Sequence, residues 1–126
     1  MALRTVLLIA VACFTWRTVL AADRPTYESL WNEITHDHGC VPSEQRDYTM
    51  FTCDADHALW YFTKPSHPAH PGVVKRAVVQ ENEAMVIRTR GWSFAPDADQ
   101  PKFKTWLEQF KELDARVRQH VRPGQQ

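Results

Sequence analysis

Asp47-Tyr48-Thr49-Met50-Phe51-Thr52-Cys53-Asp54-Ala55-Asp56-His57-Ala58-Leu59-Trp60-Tyr61-Phe62-Thr63 is the stretch on which the fold class turns. Asp47 to Cys53 is rich in aromatic and β-favouring residues, Asp54-Ala55-Asp56 interrupts the run, and Ala58 to Thr63 resumes it. Two runs of strand length joined by an acidic turn predict a β-hairpin, because bulky and β-branched side chains suit a pleated, half-buried surface. Successive strand residues face opposite sides, so Trp60 and Phe62 share one face and Tyr61 takes the other. At least one large aromatic then projects away from the core or is covered by another segment.

Downstream, Lys64 to Gly72 reads Lys-Pro-Ser-His-Pro-Ala-His-Pro-Gly. Pro65 ends the strand, since proline cannot donate to a ladder. With Pro68 and Pro71 it predicts an extended, polyproline-like connector, which sets His67 and His70 one turn apart on the same side. Val73 to Gln80 and Ala84 to Trp92 form a second hairpin around Glu81-Asn82-Glu83. With a three-residue turn, Val73, Ala77, Val79, Met85 and Ile87 point inward and Arg76, Arg88 and Arg90 gather on the outer face. A shift of one residue in register scatters that basic group.

Helices flank the strands. Tyr27, Leu30, Trp31 and Ile34 recur at helical spacing, with Thr26 as N-cap and His38-Gly39 as the stop. Pro42 to Arg46 reads as loop. Gln100-Pro101 opens a second helix, whose apolar stripe is Phe103, Trp106, Leu107, Phe110, Leu113 and Val117. Beyond Asp114 its polar side turns basic at Arg116, Arg118 and Arg122. The expectation is an α+β domain in the order αββββα: a four-stranded antiparallel sheet of two hairpins with both helices on one face.

The N-terminus has the layout of a secretory signal peptide. Arg4 precedes an apolar run of 11 residues, Val6 to Trp16, and small residues at Ala21-Ala22 offer a cleavage site. That run is well short of the ~20 residues of a membrane-spanning helix, so no integral span remains after cleavage. The expected organisation is a signal peptide over 1–22, one small domain over 23–122 and a disordered tail over 123–126. The expected location is periplasmic or secreted. The whole chain has 15 basic and 15 acidic residues; loss of Arg4 and Arg17 leaves the domain slightly acidic. Nucleic-acid binding, which needs clustered excess positive charge, is disfavoured. Neither a G-x-G-x-x-G nor a Walker-type run is present, which disfavours nucleotide enzymes.

In an oxidising compartment the domain's two cysteines, Cys40 and Cys53, read as a disulfide that staples the end of the first helix to the first strand. No nucleophile elbow or H-E-x-x-H sequence supplies a catalytic signature. Two functional readings lead, and an enzyme trails both. The first is a binding module of the bacterial envelope that recognises a protein or envelope component. It uses Trp60 and Phe62 of the outer face, His67 and His70 of the proline loop, and the arginines Arg76, Arg88 and Arg90. Of the four tryptophans Trp31, Trp60, Trp92 and Trp106, Trp31 and Trp106 fall on the helical stripes and are expected to pack on the sheet, while the Trp60-Tyr61-Phe62 run supplies the exposed aromatic that such contacts favour. The second is a Zn- or Cu-binding protein using histidines between His36 and His70, above all His36 and His38 with Asp37 between them.

Overall fold

Thr26 opens α1 (Tyr27–Thr35). Its Oγ1 accepts the Ser29 N–H at 3.0 Å, and Ser29 Oγ accepts the Thr26 N–H at 2.8 Å. This reciprocal box satisfies two of the donors a helix start leaves unpaired. The chain continues through β1 (Cys40–Glu44), β2 (Tyr48–Cys53), β3 (Ala58–Thr63), β4 (Gly72–Glu81) and β5 (Ala84–Ser93). A 3-10 turn at Asp97–Asp99 leads into α2 (Gln100–His120). The structure is a computed structural model and describes residues 24–120. The expected signal peptide over 1–22 and tail over 123–126 lie outside the described residues.

The class is α+β, but the sheet has five antiparallel strands in the order β1-β2-β3-β4-β5, not four. The added strand is Cys40–Glu44, most of which was expected to be loop. It has little apolar alternation of its own. Pro42 is tolerated because β1 is an edge strand, where a missing N–H need not break a ladder. Cys40 lies directly opposite Cys53, with Cα atoms 4.1 Å apart, and the two are joined in a disulfide. The bridge therefore fastens β1 to β2 rather than helix to strand.

The helices cover opposite faces of the sheet, a second correction. Leu30 and Ile34 of α1 pack with Phe51, Cys53, Ala58, Trp60, Phe62 and Val73. Phe103 and Trp106 of α2 pack with Tyr61, Ala69 and Val74 on the other side. The reason lies in β3, whose Ala58, Trp60, Tyr61, Phe62 and Thr63 are all buried. A strand that is apolar on both faces must be covered on both. Phe62 and Val73 are fully buried, each contributing about 2 kcal/mol relative to exposure.

The β4–β5 turn has two residues, Asn82 and Glu83, with φ of 46° and 68°. Positive φ at both positions marks the mirror-image turn whose twist matches that of the flanking strands. Ten residue pairs run without offset from Gly72 with Ser93 to Glu81 with Ala84. This register overturns the expected grouping of arginines. Arg88 and Arg90 share the α1 side with Val73, Lys75, Ala77 and Val79, while Arg76 lies on the α2 side with Met85 and Ile87.

The proline segment is not extended. The His67 N–H donates to the Lys64 carbonyl at 2.9 Å and the His70 N–H to the His67 carbonyl at 3.0 Å, giving two consecutive turns. Asp47 anchors them: its carbonyl accepts the Lys64 N–H at 2.8 Å and its carboxylate the Ser66 hydroxyl at 3.0 Å. Ala69 is fully buried between them and the sheet. Local hydrogen bonds and this burial outweigh the intrinsic preference of the prolines.

Candidate functional site

α1 is nine residues long and its buried side chains reach only part of the sheet. Towards β4 and β5 the same face carries Lys75, Ala77, Val79, Val86, Arg88, Arg90 and Trp92, none of them fully buried. Cross-strand register sets Trp60 of β3 opposite Lys75 of β4, and Lys75 opposite Arg90 of β5. Val73 faces Trp92 one row further on. The Trp60 and Trp92 indoles reach over this lattice and stack, with centroids 5.5 Å apart and planes 9° from parallel.

Cations lie over both indoles. Lys75 Nζ is 5.1 Å from the Trp60 ring and the Arg90 guanidinium is 4.7 Å from the Trp92 ring. Each is held by the negative face of the ring rather than by a carboxylate. Among the described residues, neither Lys75 nor Arg90 is in an ion pair. Arg88, in contrast, is tied to Glu81. The stack continues into the core, where Phe62 lies 6.2 Å from Trp60 at an interplanar angle of 19°. Core packing thus fixes the orientation of the exposed end of the ladder.

The structure distributes the remaining sequence-derived candidates elsewhere. Trp60 and Phe62 share the α1 face as expected, but both are buried, so Trp92 presents the aromatic edge. Arg76 is on the far face, closed onto Asp114 and donating to Tyr61 Oη at 3.4 Å. Burial pulls its pKa down, but the bonds to Asp114 and Tyr61 more than offset this and hold it above the usual arginine value.

His67 and His70 turn apart. The His67 ring packs on Trp106 with centroids 4.6 Å apart, and its Nδ1 accepts the Ala69 N–H at 2.9 Å. His70 packs on Tyr27 and meets Thr63 Oγ1 through Nδ1 at 2.8 Å. Thr63 in turn exchanges hydrogen bonds with Gly72, and its carbonyl accepts the Tyr27 hydroxyl at 2.6 Å. Burial, and next the charge of Glu28, push the Tyr27 phenol above its ordinary value. Both histidines of the proline loop therefore serve the frame that supports the sheet.

His36, Asp37 and His38 are all exposed where α1 ends. His36 Nδ1 lies 2.7 Å from the Asn32 carbonyl, and Asp37 accepts the Gly39 N–H at 2.8 Å. Cys40 is committed to its disulfide and offers no thiolate. Among the described residues, no group of three or more His, Cys, Asp or Glu side chains is arranged to hold a metal ion.

Lys75 is the site residue that the sequence pattern does not point to, and Trp92 enters there only as one of four tryptophans. The available signal was Asn82-Glu83: read as a two-residue turn, it pairs Lys75 with Arg90 and places both beside the tryptophans. No family model, curated protein or solved structure matches the chain. Function is therefore read from the chemistry of the site itself.

Proposed function

We propose that the chain is an exported, disulfide-stapled binding module that recognises an acidic surface on another protein of the bacterial envelope. The observation that carries this reading is the Lys75–Trp60–Trp92–Arg90 ladder, which runs from Trp60 in the α1 core out to half-buried Trp92 and exposed Arg90. Tryptophan and arginine dominate the energetics of protein interfaces, because they combine large contact area with directed polar groups. Two cations that have no carboxylate partner among the described residues, on a surface edged by the apolar Ala77, Val79 and Val86, complement an acidic partner and favour fast, oriented encounter. The Cys40–Cys53 bridge is compatible with an oxidising location, periplasmic or secreted. Among the described residues, no helix is long and apolar enough to cross a membrane.

The test is cross-linking capture from the oxidising compartment of the source cell, comparing the native chain with Arg90→Glu, Lys75→Glu and Trp92→Ala. Melting temperature serves as the folding control. Capture of a defined protein should weaken with added salt and disappear in Arg90→Glu, an exposed position whose reversal leaves the fold intact. Retention of the same partner by all three folded variants overturns the reading.

A further inference from the structure

At the hairpin end of the molecule β4 and β5 run on past β3, whose last pairing joins Ala58 to Ala77. The far half of α2 follows them on one side. Here Val78, Met85, Leu113 and Val117 are 40%, 61%, 44% and 39% exposed. Among the described residues, Val41 is the other large apolar side chain so exposed. Single exposed apolar residues need no explanation, but a gathered set marks a contact surface.

Val78, Met85 and Val117 border a concavity. A cavity of about 180 Å³ is lined by Val78, Met85, Val86, Ile87 and Val117. Through shared residues Ile87, Asp114 and Arg118 it adjoins a cleft of about 360 Å³ that also carries Lys111. The one carboxylate in the wall, Asp114, is already occupied by Arg76 and Thr89. Arg88 at the edge is tied to Glu81. Lys111 and Arg118 are exposed and, among the described residues, in no ion pair. An apolar slot thus opens beside two available cations.

We propose that this cavity binds one anionic single-chain amphiphile, a fatty-acid-like carboxylate. Its alkyl chain lies against Val78, Met85, Ile87 and Val117, and its head sits at Lys111 and Arg118. The slot opens mainly on the α2 side of the sheet, opposite Lys75 and Arg90; of the residues lining it, Val86 at the hairpin edge also borders the protein-binding face. A free amphiphile fits better than a bilayer. The hairpin tip carries Glu81 and Glu83, and α2 carries Glu112 beside Lys111. Those carboxylates would oppose a broad anionic surface but not a single head group at the cations.

The test is calorimetric titration of the purified, disulfide-intact protein with dodecanoate below its micelle concentration, alongside dodecanol and dodecyltrimethylammonium. Dodecanoate should bind saturably, one per chain. Met85→Asp and Val117→Asp should each weaken it by about tenfold or more, the loss expected for one buried apolar contact. Met85 is exposed enough that its variant keeps the fold if the Val117 variant does not. Lys111→Glu with Arg118→Glu should weaken dodecanoate and leave dodecanol unchanged. Equal binding of the cationic amphiphile, or indifference to these substitutions, overturns the proposal. So does adsorption to phosphatidylglycerol vesicles without saturable dodecanoate binding, which would make this end a membrane-contact surface instead.

Discussion

The Arg76 guanidinium closes on one oxygen of Asp114, with Nε at 3.0 Å and Nη2 at 2.5 Å, and fastens β4 to α2. Thr89 of β5 donates to the other oxygen, and the two charged side chains are only 11% and 6% exposed. Removing Asp114 leaves the largely buried Arg76 charge with only the Tyr61 hydroxyl and the Phe110 ring beside it. Asp114→Ala should therefore cost about 3–5 kcal/mol in urea unfolding. Arg76→Met combined with Asp114→Leu should recover most of that loss, because an apolar pair of similar size avoids desolvating either charge. If the double variant is no more stable than Asp114→Ala, the pair is not the main tie between helix and sheet.

The Cys40–Cys53 bridge closes a loop with a sequence separation of 13. In the chain-entropy account, a loop of this size stabilises the folded state by about 3 kcal/mol. Replacing both cysteines by alanine should lower urea stability by that amount. β1 should then lose amide protection before the rest of the sheet, since only edge pairing with β2 and the contacts of Glu44 with Thr49 and Lys64 still hold it. Uniform loss of protection across all strands would contradict this.

Glu83 occupies a left-handed conformation, φ 68°, which costs a non-glycine residue roughly 1 kcal/mol. Glu83→Gly should stabilise the hairpin by up to about that amount, converting the turn to Asn-Gly while keeping its two-residue length. Equilibrium unfolding with unchanged denaturant dependence checks the size of the effect. A fall in stability would place the turn in a different conformation.

His67 is held below its ordinary value of 6.5 mainly by burial; His70 adds to the lowering and Asp47 opposes it. The unfolded chain thus takes up this proton at higher pH than the native protein does. Above 6.5 both states are neutral at His67 and stability is insensitive to this group. As pH falls below 6.5 towards the native value, stability should drop. Protonation would also displace the Ala69 N–H from Nδ1. Melting temperatures from neutral to mildly acidic pH should fall less steeply for His67→Gln than for the native chain. Parallel curves would assign the acid sensitivity to other groups.

Much of the local architecture is legible in the chain, because it depends on contacts between near neighbours. Thr26 as N-cap follows from the chemistry of a helix start, and the stripe Tyr27, Leu30, Trp31 and Ile34 from helical period. The shared face of Trp60 and Phe62 follows from strand alternation. The Cys40–Cys53 pair follows from counting the domain's cysteines. The expected stripe of α2 is followed in part. Phe103 and Trp106 are buried, but Leu113 and Val117 are 44% and 39% exposed.

Relations across the molecule were decided only by folding. β1 has no apolar rhythm to announce it and exists through pairing with β2 and a sulfur bridge. The placement of α1 and α2 on opposite faces comes from β3 being apolar on both sides, a pattern that does not say which helix goes where. The separation of Arg76 from Arg88 and Arg90 hangs on one residue in the turn at Asn82-Glu83, since every side chain beyond it changes face with the register. Strand and helix periods are properties of neighbouring residues. The cation–aromatic face and the apolar slot both require residues far apart in the chain to meet, and that meeting is set by tertiary packing.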